Sequence, residues 1–161
     1  MKGYTIMQIE IYSYDSIEMR AKIKFKSNTY LISIGDTDAN LPTLLYTPEK
    51  SLRLIFDDFN KNMLIDILGY EPTDSEMRTY GGHFKLFDDR QARRIAEFVW
   101  RNQNRIDVLI CQCEQGQSRS AACAAAVAEF LYGTGEAIFA DERYSPNMLV
   151  YQKVLEALKK Y

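Results

Sequence analysis

The sequence predicts an α/β protein with a central, mostly parallel sheet flanked by helices on both faces. Three observations carry that expectation. Strand-like apolar runs alternate with helical patterns along the chain, the order that βα units produce. The run Val108-Leu-Ile-Cys111 is apolar without alternation, as in a strand buried on both sides. The polar stretch Cys113–Ser120 then gives way to the small-residue run Ala121–Val127, which reads as strand, tight loop and helix.

Each element follows from local pattern. Within Tyr4–Ser13, Ile9 and Ile11 alternate with polar neighbours, a strand signature. Asp15-Ser-Ile-Glu18 has capping-box spacing and predicts the start of a short helix. Tyr30–Ile34 reads as a second strand stopped by Gly35-Asp36, and Leu52–Phe56 as a third stopped by Asp57-Asp58. Phe59–Leu86 reads as a helical insertion followed by a mobile loop, either one wall of a cleft or a surface excursion. Asp88-Asp-Arg-Gln91 opens a helix whose Ala92, Ile95, Ala96 and Val99 share a face. Ile106–Cys111 is the central strand. Helices are expected from about Ser118 to Tyr132, ended by Gly133 and Gly135, and from Pro146 to Lys160, with Ser145 as cap. No repeat or linker divides the chain, so residues 1–161 are expected to form one domain.

Composition narrows the function classes. A hydrophobic share of 47% against 26% charged residues is that of a soluble globular protein. A net charge of −2 points to neither nucleic acid nor an anionic membrane surface. No apolar run is long enough to span a bilayer. Met1-Lys-Gly-Tyr-Thr-Ile6 runs into a strand pattern rather than a signal peptide, so the cytoplasm is expected, where thiols stay reduced. His83 is the only histidine, which argues against a Ser-His-Asp triad and excludes a His-rich metal site. No phosphate loop of the Gly-x4-Gly-Lys-Ser/Thr kind is present.

The stretch Cys113-Glu-Gln-Gly-Gln-Ser-Arg119-Ser120 carries the chemistry. It is placed at the carboxyl end of a buried strand and the amino end of a helix. Backbone N–H groups there lack intrahelical partners and the helix dipole adds positive charge, so such a place binds anions, phosphate above all. A thiol in that field loses its proton easily, and an Arg at the rim can grip two oxygens. Gly116 sits mid-loop, where the backbone must curl or approach a ligand closely. Cys111 and Cys123 read as small buried thiols, or as partners for Cys113 in a reversible disulfide.

Cys113 through Ser120 resembles the Cys-x5-Arg-Ser signature of the cysteine-dependent protein phosphatases, specifically the compact dual-specificity or protein-tyrosine type. The likeness runs over about Ser51–Tyr132 apart from the insertion, and the closing segment resembles small bacterial members. Where the family carries His before the nucleophile, this chain carries Gln112. The resemblance implies a phosphomonoester hydrolase working through a phosphocysteine, without metal or organic cofactor. Cys113 would be the nucleophile. Backbone N–H groups of Glu114, Gln115, Gly116, Gln117, Ser118 and Arg119 would hold the phosphoryl oxygens, and Arg119 would add a bidentate clamp. Ser120 would stabilise the thiolate. The acid on the leaving group would be Asp58, or else Asp57; Asp88 and Asp89 read as helix caps. Glu114, Gln115 and Gln117 put no cation on the loop, which tilts the substrate toward phosphorylated proteins, with small phosphoesters also open. Gln112 also leaves open a phosphate-binding module with little turnover.

Overall fold

The computed structural model describes residues 6–161. Four strands, β1 (Gln8–Tyr12), β2 (Thr29–Gly35), β3 (Lys50–Ile55) and β4 (Val108–Gln112), form one sheet in the order β1-β4-β2-β3, with every neighbouring pair parallel. Parallel neighbours require long crossovers. Those contain helices α1 (Tyr14–Arg20), α2 (Lys61–Leu68), α3 (Asp74–Gly81), α4 (Asp89–Asn102) and, after β4, α5 (Arg119–Tyr132), α6 (Glu136–Ala140) and α7 (Met148–Lys160). A short 3-10 turn lies at Asp38–Asn40. No helix among the described residues is long and apolar enough to cross a membrane.

The two faces of the sheet are covered unequally. On one, α4, α5 and α7 bury Ile32, Ile34, Leu54 and Leu109 against Ile95, Val99, Val127, Val154 and Leu158. Burying each such side chain is worth about 1.5–3 kcal/mol, which makes this face the principal core. The other face buries Leu31, Val108 and Ile110 beneath Ile17 of α1, with Phe25 and Leu44 from irregular segments. The near-continuous alanines of α5, buried from Ala121 to Ala128, leave no bulky side chain to hold the helix away from its neighbours. Trp100 Nε1 donates to the Leu158 carbonyl (3.0 Å) and ties α4 to α7.

Capping sets the ends. Asp88 caps α4 as its spacing predicts: it accepts from Gln91 N–H (2.8 Å), and Gln91 Oε1 accepts from Asp88 N–H (3.2 Å). Gln91 Nε2 also donates to the Ile55 carbonyl (2.8 Å), fixing α4 to the end of β3. Two expected starts move. α1 is capped by Ser13, which accepts from Ser16 N–H (3.1 Å), so Asp15 lies in the first turn, where a carboxylate favours the dipole. α7 is capped by Asn147, which accepts from Val150 N–H (3.3 Å), so neither Ser145 nor Pro146 starts it. The segment expected as a mobile loop after α2 contains α3, opened by a reciprocal cap between Thr73 and Glu76. Thr-x-x-Glu is itself a sequence signal for such a start.

Candidate active site

Cys113 is the first residue past β4, at the end of the sheet where the strands finish. Its N–H donates to the Tyr12 carbonyl (3.3 Å), and Tyr14 N–H donates to the Glu114 carbonyl (3.0 Å), so the loop is laced to the end of β1. Gly116 has φ of +68°, and a Cβ there would stand 2.7 Å from Ser13 N and 2.9 Å from Tyr12 C. Both the curl and the closeness of that backbone therefore require glycine. On the opposite side, Ser145 N–H donates to the Gln117 carbonyl (2.9 Å), joining the segment before α7 to the loop.

Held this way, the loop presents backbone donors without acceptors. None of the N–H groups from Glu114 to Arg119 donates to any described residue. Glu114, Gln115 and Gln117 have exposed side chains while Gly116 is buried, so the loop's inner surface is main chain. A consecutive run of unpaired amides at the amino end of a fourteen-residue helix concentrates positive potential.

The side chains the sequence singles out converge here. Cys113 Sγ lies 3.1 Å from Ser120 Oγ, and the cysteine is only 2% exposed. Arg119 is 4% exposed; one terminal nitrogen donates to Asp36 Oδ1 (2.5 Å) and to the Phe56 carbonyl (2.8 Å). Its Nε is buried with no partner among the described residues, an unmet donor of the kind that interiors seldom leave. Asp58 Oδ1 accepts from Ser118 Oγ (2.8 Å) and Asn147 Nδ2 (2.8 Å), which holds this carboxyl against the loop. Asp57 is turned to other duty: its N–H donates to the Lys85 carbonyl (2.7 Å), and its Oδ2 accepts from Lys85 N–H (2.6 Å).

Gln112 is wholly buried. Its Oε1 accepts from Ser33 Oγ, and its Nε2 donates to the Cys113 carbonyl (2.9 Å). A neutral amide thus fixes the peptide plane next to the sulfur. Cys111 is hydrogen-bonded to Cys123; that bond and then burial push its thiol well above the ordinary range, so it stays protonated. His83 donates its N–H to the Tyr80 carbonyl in the turn after α3.

Three residues of the site escape a reading of the sequence: Asp36, Asn147 and Ser33. Asp36 stands at the end of β2, and its only sequence signal was position, since ligands of open parallel sheets bind beyond the carboxyl ends of strands.

No family model matches the chain, and no curated protein matches it. Among solved structures it is similar to PTPMT1 in complex with PI(5)P, at 14% identity and a TM-score of 0.48, over 82% of this chain and 77% of that one. It is also similar to Tk-PTP in the active form, at 12% identity and a TM-score of 0.48, over 98% of this chain and 95% of that one. What fold and site define by themselves is an α/β protein with a strand–loop–helix crossover that gathers a cysteine, an arginine and unpaired amides.

Proposed function

We propose that this protein is a cysteine-based phosphomonoester hydrolase of the protein-tyrosine or dual-specificity type. One observation carries the reading: the amides of Glu114–Arg119 and the buried Nε of Arg119, none of which has a partner among the described residues, belong to one loop, with Cys113 at its base. Donors so placed suit a tetrahedral oxyanion and cost little reorganisation when charge develops on it.

The chemistry runs in two displacements. The Cys113 sulfur, as thiolate, attacks phosphorus; the bond from phosphorus to the ester oxygen breaks, and Asp58 gives that oxygen a proton. Both hydrogen bonds to Asp58 fall on Oδ1, which leaves Oδ2 for this transfer. Water then attacks the phosphocysteine, Asp58 takes its proton, and the sulfur leaves with the Ser120 hydroxyl, 3.1 Å away, as donor. Asp36 holds Arg119 in place.

Hydrolysis of p-nitrophenyl phosphate and of phosphotyrosyl and phosphoseryl peptides tests the proposal. The wild type should turn over all or some of these, vanadate should inhibit, and Cys113→Ser should lose at least about 10³-fold in turnover. A wild type that binds phosphopeptide but releases no phosphate would be a binding module instead. A Cys113→Ser protein with full turnover would end the reading.

A further inference from the structure

β3 lies at the margin of the sheet, paired with β2 alone. Phe56 N–H donates to the Gly35 carbonyl (3.0 Å), and Gly35 stands opposite Ile55. In a parallel ladder alternate residues point both backbone groups at a given neighbour, so Lys50, Leu52 and Leu54 face β2. Ser51, Arg53 and Ile55 direct N–H and C=O outward. The Ile55 carbonyl is taken by Gln91 Nε2 at the start of α4 (2.8 Å). The outward backbone groups of Ser51 and Arg53 have no partner among the described residues.

A groove of about 500 Å³ runs along the same margin, between β3 and one flank of α4. Half-buried Leu52 and Phe98 form its floor, and Lys50, Arg94, Arg101 and Arg105 stand exposed around it. Arg94, Phe98, Arg101 and Arg105 recur at helical spacing and share one side of α4 and its closing turn. The opposite side, through Asp89 and Trp100, bonds α7. Arg101 is answered by Glu97 (2.5 Å), and its place in the last turn suits the helix dipole. Lys50, Arg94 and Arg105 have no carboxylate partner among the described residues. On a chain of net charge −2, the groove thus gathers cations that nothing in its own fold accounts for.

We propose that this margin docks an acidic, extended polypeptide segment of a partner protein, which adds to β3 as a further strand and sets carboxylates against Lys50, Arg94 and Arg105. Unpaired edge groups are templates for strand addition, with main-chain hydrogen bonds giving affinity. Side chains of a strand stand perpendicular to the sheet and alternate between its faces. Every second side chain of the added strand therefore rises on the face that α4 covers, beside the basic flank. Charge complementarity selects acidic residues at those positions. The open groups of Ser51 and Arg53 select a polypeptide: a nucleic acid or an anionic bilayer would answer the cations but not the edge. Lys50 begins β3, whereas Cys113 follows the last residue of β4, so the groove lies at the other end of the parallel sheet. A segment bound there leaves the Cys113 loop open, and the inference does not depend on the phosphatase reading.

The experiment titrates the full chain with a short peptide of alternating Glu and Val and follows its backbone amide resonances. Saturable shifts are expected at Ser51, Leu52 and Arg53 and around Phe98, and none with a peptide of alternating Lys and Val. Methylating the Glu–Val peptide's backbone nitrogens one at a time should weaken binding at every second position only. The double variant Arg94→Glu, Arg105→Glu should bind the Glu–Val peptide at least about tenfold more weakly and leave turnover of p-nitrophenyl phosphate at the wild-type value, whatever that value is. Absence of shifts, equal binding of the Lys–Val peptide, or loss of the period-two pattern overturns the proposal. A single-stranded oligonucleotide of equal charge that shifts the same amides as strongly overturns it too. So does a shift at Ser51–Arg53 on raising protein concentration alone, which would make the margin a contact between copies. Should the double variant misfold, Lys50→Glu tests the same charge dependence.

Discussion

β4 passes to α5 through a tight loop at 113–118, whereas β3 passes to α4 through a long excursion at 56–88. Both crossovers sit at the same end of the sheet and both supply the candidate site. They are built on opposite principles. The tight loop is fixed along its length by neighbours on either side and has no room for a side chain at Gly116. The excursion is fixed at its base by the Asp57–Lys85 clamp and by the ring pairs Phe56–Phe87 (4.6 Å) and Phe59–Phe84 (5.0 Å), and beyond it Leu64 of α2 is buried. Precision over a few residues makes a reaction centre; a closed base places Asp58 and leaves the outlying helices free of that demand.

Glycines provide the sharpest way to break this contrast. Gly116 and Gly69 both have positive φ, +68° and +78°, but a Cβ on Gly69 meets nothing within 4 Å. Gly116→Ala should cost at least about 100-fold in turnover, since displaced loop amides lose several kcal/mol of oxyanion stabilisation. Gly69→Ala should cost only the left-handed strain, about 1–2 kcal/mol, with activity intact. Assays with p-nitrophenyl phosphate beside urea titrations check both; a fully active Gly116→Ala protein would mean that β1 does not clamp the loop.

The two carboxyls of the excursion come next. Asp58→Asn should lower turnover about 10²-fold or more on phosphotyrosine and less on p-nitrophenyl phosphate, whose leaving group needs little help from an acid. Asp57→Asn should act mainly on stability by weakening the clamp. A collapse of phosphotyrosine turnover in Asp57→Asn, with Asp58→Asn unaffected, would exchange their roles.

Smaller effects are expected from a positioning residue and a surface pair. Gln112→Ala strips the buried Ser33 hydroxyl of its acceptor and should destabilise by about 1–3 kcal/mol in denaturant titrations. Lys153 bonds Asp89 (2.7 Å) between α7 and α4 and lowers its pKa. A carboxyl depressed in the folded state stabilises above the unfolded aspartate pKa of about 3.9, and that contribution fades as pH falls through the folded value. Asp89→Asn should therefore unfold at slightly lower urea than wild type at pH 7, with the gap closing in acid.

What the sequence makes legible follows the same division. The tight crossover is a contiguous pattern, so Cys113, Gly116, Arg119 and Ser120 could be placed by local rules, as could the Asp88 cap and the buried stripe of α4. Asp36, Ser33 and Asn147 reach the site only through the register of parallel strands and the return of α7. Arg119 and Asp36 are 83 positions apart, and Asn147 and Asp58 are 89 apart. No periodicity encodes such pairings. α3 is illegible for a different reason: its start is marked by Thr73 and Glu76, but its exposed helix carries little apolar pattern and buries only Gly81.

The clamp between Asp57 and Lys85 has an evolutionary consequence. Because the two ends of the excursion already touch, the chain between them is a closed loop, and doubling its length would add only about 0.6 kcal/mol of closure entropy. Descendants of this protein can lengthen the exposed part of that stretch, past Asp58 and the buried Phe59 and Leu64, at little cost to the residues gathered at its base. New recognition surfaces could thus be grafted beside an unchanged Cys113 loop.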